Sequence, residues 1–243
     1  MALCVWVLSI VAIFIFPLFL IVPYLITSGA AISEEMQNDP QVVLLGLIGV
    51  APAHLFTFII TWFVVTNYRK HSFLGMLGWK SGGIRWWYYP LVIASFMALV
   101  GGVSQILPER EHDILRIIRS SPAAAYTLAF IATFFAPFIE EAVYRGLLYS
   151  AFQRSIGTVW TVAIVTLMFA GIHYPQYWES PGSIIMITVL SFALTMTRTL
   201  SGNLLPCVIL HFLFNGLQSI FIILEPYFNL PELQQQTTSL LIK

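Results

Sequence analysis

Long runs free of carboxylates, lysine and arginine dominate this chain. Residues 1–33, 40–68, 86–108, 120–139, 155–178, 180–197 and 199–224 contain no Asp, Glu, Lys or Arg. Each approaches or exceeds the roughly 18–20 residues that a helix needs to cross a hydrocarbon core. Soluble domains are about one-quarter charged, whereas this chain is 9% charged and 58% hydrophobic. Lipid offers no hydrogen bonds to the backbone, so spanning segments must be helices or strands of a closed barrel. The short, alternating segments of a barrel are absent. The expected fold is therefore all-α, a polytopic transmembrane bundle of about 7–8 helices. No linker or repeat interrupts it, so residues 1–243 are expected to form a single membrane domain.

The expected spans fall near 3–26, 42–66, 90–107, 123–152, 156–173, 183–198 and 204–224. Between the second and third, Trp79, Trp86, Trp87, Tyr88 and Tyr89 stand beside Lys80 and Arg85, the composition of interfacial anchors. Residues 108–122 form a charged connection suited to an amphipathic turn or two on the surface. With the N-terminus inside, the basic residues divide seven (69, 70, 80, 85, 145, 154, 198) to four (110, 116, 119, 243), a bias favouring a cytoplasmic N-terminus. The first span lacks a basic leader and a small-residue cleavage site, and reads as a retained helix bent at Pro17 and Pro23. The terminal LLIK is not a prenylation box. Net charge is zero and no basic block exists, which argues against a nucleic-acid partner. Cys4 and Cys207 lie far apart in apolar runs and do not suggest a disulfide framework.

Against that background, ionisable groups inside spans are functional candidates, because lipid penalises them heavily. The set comprises Glu140, Glu141, Arg145, His173 and His211. His54, alone in APAHLFTF, reads as a packing histidine. Glu141 and Arg145 are four apart, acid first, the favourable order for a helical ion pair. Glu140 points about 100° away around the same helix and can serve another face.

Chain length gives their depth. The fourth and fifth spans must turn near Ser155–Gly157; Glu140 lies 15 residues before Ser155 and His173 lies 16 after Gly157. At about 1.5 Å per residue both stand ~22–25 Å from the turn. In an antiparallel hairpin they share one level and can meet, provided that the helix runs unbroken through the acids. His211 and Asn215 share a face of the last span, but His211 is only ~12–15 Å from the Ser201–Gly202 turn. A deficit of roughly 10 Å must then be absorbed by tilt or by a protruding hairpin tip. Pro137 and Pro206 are candidate kinks just ahead of the acids and of His211.

A carboxylate, two imidazoles and a carboxamide in a low-dielectric cavity suit water activation: a base for the proton, and donors for an oxyanion. No serine or cysteine sits with a base as a nucleophile would. The motifs carry a resemblance as well. EEAVYR (140–145) fits EExxxR, FAGIH (169–173) fits FxxxH, and HFLFN (211–215) fits HxxxN. In this order, over about residues 120–225, they resemble the CAAX-prenyl-protease and bacteriocin-processing family of intramembrane glutamate endopeptidases, the CPBP or Abi group. The resemblance implies that Glu140 is the general base and that His173 assists it. His211 and Asn215 would form the oxyanion hole, with Glu141 and Arg145 supporting the site and Glu141 also contributing to catalysis. It implies a helical bundle with a water-filled conical cavity, no cofactor and no metal, in a multi-pass protein of the cell membrane. The implied partners are membrane lipid and a peptide or lipidated-protein substrate; family members cut after a prenylated cysteine or act in bacteriocin processing and immunity.

Two alternatives differ in class. A zinc hydrolase would draw on Cys207, His211, His173 and Glu140, although no HExxH motif is present. A transporter or scaffold would use the same charges as a relay or clasp, without the internal inverted repeat common among transporters. Phe169 reads as a core aromatic, and Asn215 as either an oxyanion donor or a helix–helix hydrogen bond.

Overall fold

Prolines and small polar residues set where most helices begin and bend. The computed structural model describes residues 1–29, 36, 38–107 and 110–228; these form helices and connections, with no strand among them. Lys243 and the terminal LLIK lie outside the described residues. Helices α1 (Ala2–Ile15) and α2 (Leu18–Ser28) form one apolar span interrupted at Pro17. Helix α3 (Pro40–Val65) braces that bend, since a Cβ on Gly49 would meet Pro17 Cα at 2.4 Å. Only glycine permits the approach. Asp39 starts α3 by accepting a hydrogen bond from the Gln41 amide at 2.8 Å. Pro40 occupies the first turn, where an N–H is not needed.

Two short helices, α4 (Phe73–Leu77) and the amphipathic α6 (Asp113–Ser120), flank the span α5 (Tyr88–Ile106). The exposed Arg119 of α6 pairs with Glu111 at 2.7 Å. From Pro122 the chain stays helical through the acids. It runs as α7 (Pro122–Phe130), a π-helical turn (Ile131–Phe135), α8 (Ala136–Glu141), a second π-helical turn (Ala142–Leu148) and α9 (Tyr149–Tyr177). Inside α9, Gly157 adopts φ 75° and ψ 173°, backbone essentially reserved for glycine. The two limbs fold back on each other there. Arg145 and Phe169, each 12 residues from Gly157, meet with the guanidinium 4.6 Å from the ring centroid.

Helices α10 (Pro181–Ser201) and α11 (Leu205–Phe228) form the last hairpin, turned at Gly202 with φ 63°. Pro206 falls in the first turn of α11, where it disrupts no helical bond; the kink expected there is absent. Among the described residues six helical segments are long and apolar enough to cross a membrane. The fourth, Pro122–Tyr177, is 56 residues long and divides at Gly157, which recovers the seven expected spans. The protein is an integral, multi-pass, all-helical membrane protein. Phe14, Ile26, Leu55, Ile106, Phe134 and Val159 are exposed on its outer faces, where lipid replaces water as their solvent.

Two apolar clusters hold the bundle around the acids. Phe96, Met186, Leu190, Leu194, Leu210 and Phe214 join α5, α10 and α11. Val143, Tyr144, Leu148, Tyr149, Val165 and Phe169 fill the Gly157 hairpin, with Ala2 and Trp6 of α1 packed on them. The hairpins differ in length, and this offsets the depth deficit of His211. Tyr149, eight residues before Gly157, bonds through its hydroxyl to Thr199, three before Gly202, at 3.0 Å. The Gly157 tip therefore overhangs the other turn by about five residues, ~7–8 Å, and residues 153–160 are all exposed.

Candidate active site

The local geometry begins at Pro137. In the first π-helical turn the Ala136 amide bonds to Ile131 O, so bonding has slipped from four residues to five. By that register Ala132 O would need the amide of Pro137, which has none. Asn215 supplies the missing donor: its Nδ2 lies 2.7 Å from Ala132 O. One turn on, Ser219 bonds Thr133 Oγ1 at 2.8 Å and donates to Ala129 O at 3.2 Å. Pro137, a candidate kink in the sequence, thus leaves a carbonyl open ahead of the acids, and α11 closes it. Asn215 makes a helix–helix bond with one amide hydrogen and keeps a second.

Glu141 and Arg145 form a sealed knot. Both side chains have no exposed surface, and Arg145 Nη1 donates to Glu141 Oε1 at 2.8 Å. Nη2 donates to Ser191 O at 2.9 Å and Ser191 Oγ at 2.8 Å, and Nε donates to Thr195 Oγ1 at 3.2 Å. Removing an ion from water costs several kcal/mol, and this cage replaces part of the lost hydration, while the buried Glu141 Oε2 has no hydrogen-bond partner among the described residues. Ser191 and Thr195 are four apart on α10, so one helix face presents both. The second π-helical turn brings the chain close to α4: a Cβ on Gly146 would meet Leu77 Cδ2 at 2.7 Å.

His211 links the two acids. Its Nδ1 donates to Glu141 Oε1 at 2.9 Å, while Nε2 stands 3.8 Å from Glu140 Oε2, beyond hydrogen-bond length. Glu140 differs sharply from its neighbour, keeping 21% of its side-chain surface exposed. It lines a partly open cavity of about 40 Å³ together with Trp6, His54, Thr57, Tyr144 and Ile172. Trp6 Nε1 donates to Tyr144 Oη at 2.8 Å and fixes that wall.

His173 is half-buried, donates from Nδ1 to Phe169 O at 2.8 Å and stacks on the Phe169 ring at 4.7 Å. Phe169 also lies 5.9 Å from the His211 ring, so it separates the two imidazoles and caps Arg145. Gly157 is the turn from which the depth argument counted, with His173 16 residues after it and Glu140 17 before it. Direct contact is another matter. Among the described residues no hydrogen bond joins His173 to Glu140, and the nearer imidazole is that of His211.

Cys207 does not join this group. It is fully buried and its Sγ donates to Leu194 O at 3.4 Å. Among the described residues no three His, Cys, Asp or Glu side chains cluster closely enough to hold a metal ion, so the zinc alternative lacks its ligand set there.

Several participants escaped the sequence reading. His54, taken as a packing histidine, lines the same cavity as Glu140. The first three spans showed nothing diagnostic, yet α1 and α3 build one wall of that cavity. Ser191 and Thr195 were legible in principle: a buried arginine has five donors, and one carboxylate cannot satisfy them.

Residues 122–217 match the family model described as type II CAAX prenyl endopeptidase Rce1-like. No curated protein and no solved structure gives a significant match. The matched segment begins at the first residue of α7 and ends two residues beyond Asn215, so it contains Glu140, Glu141, Arg145, His173, His211 and Asn215. Over that segment the chain is similar to the Rce1-like type II CAAX prenyl endopeptidases, a family of membrane proteases.

Proposed function

We propose that the protein is a glutamate-type intramembrane endopeptidase in which Glu140 activates the attacking water. The observation that carries this reading is the unequal treatment of two adjacent carboxylates. Glu141 is consumed by Arg145 and His211, while Glu140 keeps a face on the cavity. A general base must be reachable by its water, and only one of the pair is.

In the proposed reaction Glu140 takes a proton from water as the water oxygen attacks the peptide carbonyl carbon. The carbonyl electron pair moves to oxygen. Glu140 then returns the proton to the departing amide nitrogen, and the C–N bond breaks. His173, whose Nδ1–H is committed to Phe169 O, has Nε2 as an acceptor for the water's second hydrogen. His211 is oriented by Glu141 through Nδ1; a proton on Nε2 makes that side a donor to the oxyanion. The second amide hydrogen of Asn215 is the other donor. Glu141 and Arg145 position His211 and do not touch substrate. The apolar wall of Trp6, Ile10 and Ile13 suits a prenylated or otherwise membrane-associated peptide, and the cell membrane is the expected location. No cofactor enters the scheme.

The test is cleavage of a farnesylated peptide ending in cysteine plus three residues, using protein purified into lipid vesicles. Mass spectrometry should show loss of the last three residues. In ¹⁸O-water a single turnover should place one heavy oxygen in the new carboxylate. Near-normal turnover by Glu140→Gln would remove Glu140 from the base role.

A further inference from the structure

His54 has one nitrogen occupied and one unused. It is 7% exposed on α3 and lines the cavity that contains Glu140. Its Nδ1 lies 2.9 Å from Val50 O. A carbonyl only accepts, so Nδ1 carries the hydrogen and Nε2 of the neutral ring is left as an acceptor. Among the described residues Nε2 has no hydrogen-bond partner, and it is not among the buried polar atoms sealed from contact. His173 has the same local arrangement, with Nδ1 given to the carbonyl four residues back. Two imidazoles on different helices thus have their tautomers fixed by their own backbone.

The neighbours decide what such an acceptor can serve. Trp6 Nε1 is spent on Tyr144, and the Ser9 hydroxyl donates to Val5 O at 2.8 Å. Ile10, Ile139 and Ile172 supply apolar surface only. A peptide entering the cavity brings backbone N–H groups that lose water, and each unpaired donor costs about 1–3 kcal/mol in a protein interior. The water-activating groups assigned above lie on α8, α9 and α11, whereas His54 is on α3. Resting on the endopeptidase reading, we propose that His54 Nε2 accepts a hydrogen bond from a backbone N–H of the bound peptide and is a substrate-positioning residue of this site.

Two substitutions separate this role from packing. His54→Asn retains a donor near Nδ1 for Val50 O and removes the distal acceptor; His54→Gln places an oxygen near the Nε2 position. Each is made in the active protein and in a Glu140→Gln background, where equilibrium binding of the farnesylated peptide is read without turnover. His54→Asn should weaken binding and raise KM about five- to tenfold with kcat within about twofold, and His54→Gln should recover most of the loss. Thermal midpoints in detergent report any folding defect.

Wild-type behaviour in both variants overturns the assignment, as does damage in Gln with Asn unaffected, the pattern of a purely structural Nδ1 bond. A fall in kcat with unchanged binding would shift His54 to the water and also overturn it. If the unsubstituted protein neither binds nor cleaves the peptide, the endopeptidase reading fails and takes this inference with it. Cleavage that ignores position 54 sinks the inference alone.

Discussion

Glu140 and Glu141 are chain neighbours of identical chemistry, yet they live in different media. Glu141 has no exposed surface and shares one oxygen between Arg145 and His211. Glu140 is one-fifth exposed, bordering a cavity walled by α1 and α3. A single helical step of about 100° separates them. The contrast teaches that one carboxylate can be sealed to build a site while its neighbour stays wet enough to work there. It also explains why an apolar span carries three charges within six residues: two neutralise each other and orient a histidine, and the third remains for chemistry.

The contrast breaks most readily at Glu140. Glu140→Gln should lower kcat by about 10²–10⁴-fold, the usual range for a general base. Its thermal midpoint should stay close to the parent's, because Glu140 makes no hydrogen bond in the knot. Turnover assays and melting curves on one preparation check both halves. Glu141→Gln should do the reverse and strike stability first. It leaves the Arg145 cation buried without a counter-charge, a loss of about 3–5 kcal/mol. Adding Arg145→Met should recover part of that loss, measured by unfolding in detergent; a double variant worse than the sum of the singles would refute the knot.

Smaller effects sharpen the picture around Asn215. Asn215→Ala should cost about 1–3 kcal/mol by orphaning Ala132 O, in addition to any loss of rate. Pro137→Ala restores a backbone N–H within reach of that carbonyl. In its presence Asn215→Ala should cost less, by about 0.5–1 kcal/mol in a double-mutant cycle. Additive energies would show that Asn215 and Pro137 do not share the carbonyl.

Much of the framework was legible from residues alone, and for identifiable reasons. Uncharged runs reveal spans because lipid penalises every charge. Gly157 was found as a turn because two long helices must reverse within few residues, and counting from it placed Glu140 and His173 at one level. The deficit of roughly 10 Å for His211 was real in residue count, but most of it was absorbed once Tyr149 paired with Thr199 and the longer hairpin overhung the shorter. Pro137 announced a bend, but not the carbonyl it frees nor the side chain that covers it. His54 was set aside because a lone histidine carries no periodic or spacing signal; only the helix facing it shows whether it is packed or useful.

What the amino-acid order determined by itself was the medium, the helices, the i, i+4 ion pair and the approximate depth of each polar group. These follow from local geometry and from the cost of charge in lipid. Tertiary structure alone decided which glutamate is sealed, which carbonyl Asn215 satisfies, that Ser191 and Thr195 cage the arginine, and that His54 shares the cavity of Glu140. Each depends on which face of a distant helix arrives. Several helical rotations and offsets bury similar apolar area, and the packed bundle is one in which the buried charges find most of their hydrogen bonds.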